Sequence, residues 1–477
     1  MRWVMRTARW FEDRTGMSRL VLPFFRHPVP PGTASARRGW WYVFGVATLA
    51  AFVLQVVTGI ALATAYVPSA ESAYDSLQFI SHDATFGRVL RGLHYFGASA
   101  MVVMVGVHMI RVFLTGSFKF PREMNWLTGV VLLALTLAMA FTGQLLRWDQ
   151  DGLWSVVIAA EQAGRVPAIG AALARFILAG RTVGAATLSR FSAFHMFFIP
   201  ALIFAVVGFH LYLVLHNGIS EPPEPGRPVD PQTYRAWYRR LIERHGRPYW
   251  PDAAWREVAF AVLMIVTVAL LAITFGPKEL GKPPDPTVIE AYPRPDWYFL
   301  WYFAVLALIR PGIEDAVIVL APLIGFGALV ALPFIANRGE RAPARRPWAV
   351  GVVLTGVLGI ATLSVAGARA PWSPMFAAKA VPASIVGVSN GPAVRGAQLF
   401  HDKGCQYCHA VAGQGGARGP ALTHVATRLT AADITARILI GPGNMPSYTG
   451  NLSPDEVRDL VAFLEALDGR KERAGAP

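Results

Sequence analysis

Seven stretches of this chain are each long and apolar enough to cross a lipid bilayer, which excludes most soluble folds at once. They lie near 40–66, 92–114, 125–147, 191–216, 256–276, 313–336 and 348–368. Inside hydrocarbon a backbone N–H or C=O must find its partner within the protein, so each stretch is expected as a helix. Beyond about residue 370 the sequence turns polar and Gly-rich and ends in an amphipathic helical pattern. The expected fold is all-α: a transmembrane helical bundle of about seven spans, followed by a small α-helical soluble domain.

A net charge of +14 invites a nucleic-acid partner, but its distribution argues for a lipid membrane and no nucleic acid. Arg2, Arg6, Arg9, Arg14, Arg19, Arg26, Arg37 and Arg38 precede the first stretch. Lys119 and Arg122 separate the second from the third. Arg227, Arg235, Arg239, Arg240, Arg244 and Arg247 separate the fourth from the fifth, and Arg338, Arg341, Arg345 and Arg346 the sixth from the seventh. The alternate connections are poorer in Lys and Arg for their length, notably the one near 67–90. Positive charge marks the cytoplasmic side. The N-terminus is therefore expected in the cytoplasm and, after an odd number of spans, the tail outside. No cleavable leader is apparent, so the first span is expected to act as the insertion signal.

Four histidines interrupt the apolar helices in two pairs. His94 and His108 are 14 residues apart, and His195 and His210 are 15 apart. Each pair spans about 21 Å of helix axis, and its members return to within about 40–60° of one face. Two such helices side by side would place facing imidazoles at two depths of the bilayer. That suits two haems, one above the other, each held by two histidines. Ligand-capable residues inside a membrane span are costly and functional by default. The second and fourth spans should both run from outside to inside. His94 and His195 are then expected to share the outer haem, and His108 and His210 the inner one.

The soluble tail holds both cysteines of the chain, in Cys405-Gln406-Tyr407-Cys408-His409. C-x-x-C-H is the attachment motif of a c-type haem: two thioethers anchor the porphyrin and the adjacent imidazole supplies an axial nitrogen. A redox or zinc CxxC followed by a chance histidine is the other reading, but no second cysteine pair exists to complete a zinc site. The sixth ligand is expected in Gly441-Pro442-Gly443-Asn444-Met445-Pro446, with Met445 chosen because Met/His ligation raises a haem potential; a core methionine is the alternative. Ser453-Pro454-Asp455-Glu456 reads as a capping box that opens a helix to Leu467, packed on a first helix near Val394–Asp402. The tail resembles a class I cytochrome c. Bacterial attachment machinery works outside the cytoplasm, so a bacterial inner membrane with the tail on the periplasmic side is expected.

Glycines repeat the histidine period. Gly45 and Gly59 are 14 apart in the first span, and Gly129 and Gly143 are 14 apart in the third. A helix without Cβ at that level can approach a flat haem, although small residues also serve ordinary helix packing in lipid. Arg91 lies three residues before His94 and Arg111 three after His108, where each could pair a haem propionate or simply snorkel at a helix end.

Here the resemblance becomes specific. Arg91-Gly92-Leu93-His94, His108-Met109-Ile110-Arg111, Leu114-Thr115-Gly116-Ser117-Phe118-Lys119, Trp148-Asp149-Gln150 and Gly218-Ile219-Ser220 resemble the cytochrome b of the bc and b6f complexes. The 15-residue histidine gap resembles the plastid-type branch. The resemblance implies four parts: a dihaem four-helix domain over 1–220, a three-helix subunit IV-like domain over 221–370, a linker over 371–389 and a cytochrome c domain over 390–477. It implies two noncovalent b haems, one covalent c haem, and quinol and quinone as substrates. The family's quinol-oxidation motif, Pro-Glu-Trp-Tyr, is matched by Pro295-Asp296-Trp297-Tyr298, where Asp296 would accept a quinol proton. Without the resemblance the same four residues read as an interfacial turn.

The implied activity is quinol–cytochrome c reductase, coupled to proton translocation. One quinol electron goes to a separate Rieske iron–sulfur protein and then the c haem, and the other crosses through the b haems to quinone. A downstream cytochrome c or oxidase and a homodimer are implied likewise. Plastid-type relatives attach an extra haem through a cysteine where this chain has Val43, so no covalent third membrane haem is expected. His216 matches polar inner-quinone positions, with a surface histidine the equal alternative. His27, His82, His245, His401 and His424 are taken as surface residues. Two rival functions remain: a different dihaem quinone-linked membrane anchor, and a membrane electron-transfer protein without quinone chemistry.

Overall fold

The computed structural model describes residues 2–16, 25–285, 294–309, 313–370, 372–382, 385, 387, 389–441, 445 and 447–467. All seven expected spans are helices: Phe44–Ala63, Gly87–Leu114, Glu123–Leu145, Ala185–Asn217, Tyr249–Thr274, Glu314–Ile335 and Pro347–Arg369, here spans 1 to 7. Their outward faces stay apolar, with Val57, Leu263 and Leu323 each at least 60% exposed, as lipid-facing side chains should be. The only strand pairing among the described residues joins Pro28–Val29 to Arg247–Pro248.

The chain falls into two compact units. The larger comprises residues 1–285 and 318–359. In it span 1 packs on span 2, span 3 on span 4, and span 5 covers spans 1 and 2. Small residues let these helices approach: a Cβ on Gly92 would sit 3.0 Å from the Cβ of Ala272. Phe52 of span 1 and Ile199 and Ile203 of span 4 are buried in one apolar cluster.

The connections on the far side from the basic loops hold helices that the sequence reading left as connections: Ala73–His82, Gln150–Gly164 and Gly170–Leu178. Each is too short to span. They form because Tyr66, Leu77, Ile80, Leu145, Trp148, Val156 and Leu188 close into one apolar cluster over the span ends. Asp149, fully buried, caps Gln150–Gly164 by accepting from Gly152 N at 2.9 Å.

Span 4 is not a uniform α-helix. Phe194–Phe198 winds as a π-turn, with α-helix on either side. One extra residue is absorbed there, bringing the 15-residue spacing of His195 and His210 toward the 14-residue register of His94 and His108. The uniform helix assumed from sequence overstates their angular offset.

The smaller unit comprises residues 286–317 and 360–477. Its tail contains helices Pro392–Asp402, Cys405–Cys408, Ala431–Ile440 and Pro454–Glu465. The Ser453 capping box forms as expected, with Ser453 N to Glu456 Oε2 at 2.7 Å and Glu456 N to Ser453 Oγ at 3.2 Å. The first and last helices cross at Gly396, where a Cβ would strike the Asp459 carbonyl. Phe400 and Phe463 meet at the same crossing, 5.4 Å between ring centres.

Candidate functional site

Each helical glycine of the repeat faces a histidine. On span 1, a Cβ at Gly59 would lie 3.3 Å from His94 Cε1, and one at Gly45 would lie 3.4 Å from His108 Cε1. On span 3, a Cβ at Gly143 would lie 2.7 Å from His195 Cε1, and one at Gly129 would lie 3.9 Å from His210 Cε1. The first and second members of each pair therefore fall at two levels, as the spacing required.

Threonines complete the arrangement. Thr58 Oγ1 lies 2.9 Å from His94 Nδ1, Thr142 Oγ1 3.0 Å from His195 Nδ1, and Thr128 Oγ1 2.7 Å from His210 Nδ1. Each hydroxyl already donates to the carbonyl four residues back, at Leu54, Ala138 and Met124. It therefore accepts from Nδ1–H, which fixes the tautomer and leaves Nε2 free to bind a metal. The sequence carried this signal unread: each threonine directly precedes its glycine, whereas Gly45 follows Phe44.

The rings of His94 and His195 are 6.3 Å apart between centres and 78° apart in plane. Metal–imidazole bonds of about 2.0–2.1 Å, with about 1.1 Å from Nε2 to each ring centre, give about 6.3 Å for two ligands on one iron. Among the described residues no three or more His, Cys, Asp or Glu side chains gather to hold a bare ion. Paired imidazoles beside glycines fit a metal that brings its own planar ligand.

Polar residues flank these levels unequally. Arg111 is buried, its guanidinium 4.1 Å above the Tyr42 ring, and its Nε and Nη2 have no protein partner. It fits an anionic group. Arg91 is buried too, but Nη1 donates to Ser81 Oγ at 2.7 Å and Nη2 to the Lys278 carbonyl at 2.8 Å, so two of its donor groups are engaged within the protein. Three of the strings that carried the resemblance, at 108–111, 114–119 and 218–220, converge around Arg111. Ser117 and Ser220 hydroxyls are 2.9 Å apart, Arg122 Nε donates to the Gly218 carbonyl at 2.9 Å, and Arg341 pairs with Glu221. Val43 is buried. His216 is exposed and stacks on Tyr212, 5.8 Å between centres. Of the histidines expected at the surface, His82, His245 and His424 are exposed; His27 and His401 are half-buried, His27 with its ring 4.9 Å from that of Tyr249 and His401 with Nδ1 3.3 Å from Gln406 Oε1.

In the smaller unit, Pro295 and Asp296 lead into a short helical turn at Trp297–Phe299 that continues as Leu300–Leu308. Tyr298 Oη donates to Asp296 Oδ2 at 3.1 Å, and the Trp297 ring is 45% exposed. In the tail, Cys405 and Cys408 are the first and last residues of one helical turn. Burial pushes the Cys405 thiol up to about 11 and also raises Cys408. A dithiol redox centre needs a depressed thiol, so the redox reading of CxxC loses support. His409 Nδ1 donates to the Pro420 carbonyl at 2.8 Å, leaving Nε2 free, and a Cβ on Gly419 would collide with the ring. Met445 is half-buried, and four of its five neighbours in the expected ligand loop (442–444 and 446) lie outside the described residues.

Comparisons with known proteins agree with this geometry. Residues 33–218 match the family model described as cytochrome b/b6/petB, 283–386 that described as cytochrome b(C-terminal)/b6/petD, and 391–464 that described as cytochrome C oxidase, cbb3-type, subunit III. Cytochrome b6 of Heliobacterium mobile is 41% identical over 45% of this chain and 99% of its own. The menaquinol:cytochrome c reductase cytochrome b subunit of Geobacillus thermodenitrificans is 36% identical over 45% of this chain and 96% of its own. Cytochrome b of Rhodobacter capsulatus is 30% identical over 71% and 76%. A solved hyperthermophilic respiratory Complex III shares the fold, with TM-score 0.63 and 24% identity over 76% of this chain and 91% of that one. With the histidine–glycine levels in one part and the CxxCH turn in another, the chain belongs to the cytochrome b/b6 family and carries a cytochrome c domain.

Proposed function

We propose that this chain is the cytochrome b subunit, fused to its own cytochrome c domain, of a quinol:cytochrome c oxidoreductase in a bacterial inner membrane. The observation that carries the reading is the facing of two 14-residue glycine pairs onto two histidine pairs. His94 and His195 hold an outer b haem, His108 and His210 an inner one. Cys405, Cys408, His409 and Met445 hold a c haem. Held by these residues, the b haems would supply one-electron transfer across the bilayer and the c haem one-electron transfer on the outer side.

The chain's residues supply positioning and proton chemistry. Gly45, Gly59, Gly129 and Gly143 admit the porphyrins, and Arg111 and Arg91 meet propionates. Asp296, with Pro295, Trp297 and Tyr298 shaping its turn, accepts a proton from quinol on the outer side. His216 belongs to the inner quinone region. A separate Rieske iron–sulfur protein, a downstream cytochrome c or oxidase, a homodimeric assembly and proton translocation complete the cycle. We divide the chain into 1–220, 221–370, a linker over 371–389, and 390–477; matches over 33–218, 283–386 and 391–464 support three successive parts, although the second runs through most of the proposed linker. The basic connections support a cytoplasmic N-terminus and an external cytochrome c domain.

The test is Asp296→Asn in the purified complex. Quinol-driven cytochrome c reduction is expected to fall about 100-fold, the low end for loss of a general base, with all haem spectra unchanged. Unchanged turnover across the pH range would remove Asp296 from the reaction and favour a dihaem anchor or a passive electron carrier.

A further inference from the structure

Span 5 begins with a buried carboxylate that neither the sequence reading nor the proposed cycle uses. Glu257 is 5% exposed, in the first turn of Ala254–Thr274. An ionisable residue at such a position is costly and calls for a functional partner. No cation pairs with it among the described residues. The neighbouring Arg256 lies 4.5 Å from the Trp255 ring and donates to the Asp252 carbonyl at 3.1 Å. The partner Glu257 does have is a hydroxyl: Tyr249 Oη donates to Glu257 Oε2 at 2.6 Å.

Tyr249 is half-buried and so joins solvent to the buried acid. Its position is fixed from two sides. The Pro28–Val29 and Arg247–Pro248 strands pair immediately beside it, and Tyr249 N donates to the His27 carbonyl at 3.1 Å. The half-buried His27 ring stacks on the Tyr249 ring at 22°. The cation whose charge reaches Glu257 is Arg111 of span 2, whose Nε and Nη2 have no protein partner and whose guanidinium covers Tyr42. Gly39, in the turn before span 1, lies against the Arg256 side chain. The groups that act on Glu257 are thus Tyr249 and Arg111, with Tyr42 beneath Arg111 and His27 behind Tyr249.

We propose that Tyr249 and Glu257 form the cytoplasmic proton-uptake relay for quinone reduction at the inner end of the membrane bundle. Inner-site reduction takes two electrons and two protons per quinone. Glu257 releases one of those protons toward the reduced quinone oxygen. The carboxylate left behind regains a proton from cytoplasmic water through the Tyr249 hydroxyl, which returns to its starting state by the same transfer. The Arg111 charge stabilises the carboxylate that exists between proton release and reprotonation. The inference rests on the quinol-cycle reading above, because that cycle supplies both electrons.

The experiment uses the purified complex in phospholipid vesicles, following b-haem reduction by quinol and reoxidation through the inner site between about pH 6 and pH 9. The variants are Glu257→Gln, Glu257→Asp and Tyr249→Phe. In Glu257→Gln, reoxidation should slow about tenfold or more and become steeply slower as pH rises; Glu257→Asp should recover most of the rate, and Tyr249→Phe should fall between. A redox-linked carboxylic C=O band in infrared difference spectra should be present in wild type and missing in Glu257→Gln. Wild-type reoxidation with an unaltered pH profile in Glu257→Gln, or an unchanged infrared band, overturns the relay while leaving the cycle standing. If Glu257→Gln assembles with altered b-haem spectra, Tyr249→Phe decides: an unaltered profile overturns the relay. Absence of quinol-driven b-haem reduction in wild type itself overturns the cycle, and the relay with it.

Discussion

The two levels of the membrane core are built from the same parts but closed differently. At one level, the outer one in the proposed orientation, both imidazoles, His94 and His195, give Nδ1–H to a threonine on the facing helix. At the inner level only His210 does so, through Thr128. His108 faces Gly45, which follows Phe44, and among the described residues no threonine reaches its Nδ1. Glycine spacing sets where a planar group fits, while the residue before each glycine sets how firmly its ligand is held. The His94/His195 level therefore has both ligands hydrogen-bonded. The inner level has one less constrained imidazole, and beside it lie Arg111 with two unpartnered donors and the Glu257–Tyr249 pair.

Removing a ligand breaks this comparison most severely. His195→Ala should abolish the outer b component and quinol-driven turnover while sparing the c haem, read as loss of one of two steps in an optical redox titration of the b bands. Two intact steps would separate His195 from ligation. Next come the glycines. Gly143→Ala puts a methyl 2.7 Å from His195, whereas Gly129→Ala meets His210 at 3.9 Å. The first should cost about 1–3 kcal/mol of overpacking and lower haem retention on mild heating; the second should stay close to wild type. Equal effects at the two positions would mean the glycines serve helix packing alone.

A finer probe is Thr142→Val. It removes the acceptor at His195 Nδ1 and lowers imidazole basicity, so the outer potential should rise. A hydrogen bond worth about 0.5–1.5 kcal/mol corresponds to roughly 20–65 mV for a one-electron step. Phe44→Thr tests the converse at His108, with a small fall in the inner potential. The smallest effect concerns the tail's two capping boxes. Asp433 and Glu456 are held below the usual carboxylate range, Asp433 first by the Thr430 hydroxyl and Glu456 first by the Ser453 N–H. A depressed folded-state value gives stability that is present above the unfolded value and lost as pH falls through the folded one. The tail's melting temperature should therefore decline on acidification below about pH 4, less so in Glu456→Gln.

What could be read from the sequence follows from how local each signal is. Hydropathy alone locates every span, because the bilayer demands an uninterrupted apolar run. The Ser453 box and the crossing at Pro392–Asp402 were legible because caps and amphipathic faces are written within a few residues. The π-turn at Phe194–Phe198 went unread although Pro200, two residues beyond it, lacks the N–H that an α-helix would give to the Met196 carbonyl; a proline marks a broken bond but not how the helix absorbs it, and only the facing helix shows that 15 residues must match 14. The short helices Ala73–His82 and Gln150–Gly164 owe their existence to a cluster assembled from residues far apart in the chain. Glu257 went unnoticed because a single acid at a span end looks like a topology residue until Tyr249 is seen to reach it.

The most direct measurement is the haem b to haem c ratio of the purified full chain, from its pyridine haemochrome spectrum. Two b to one c is the predicted result, one b for each histidine level and one c for the CxxCH turn. One b, or none, would contradict the two-level core and the quinol cycle built on it.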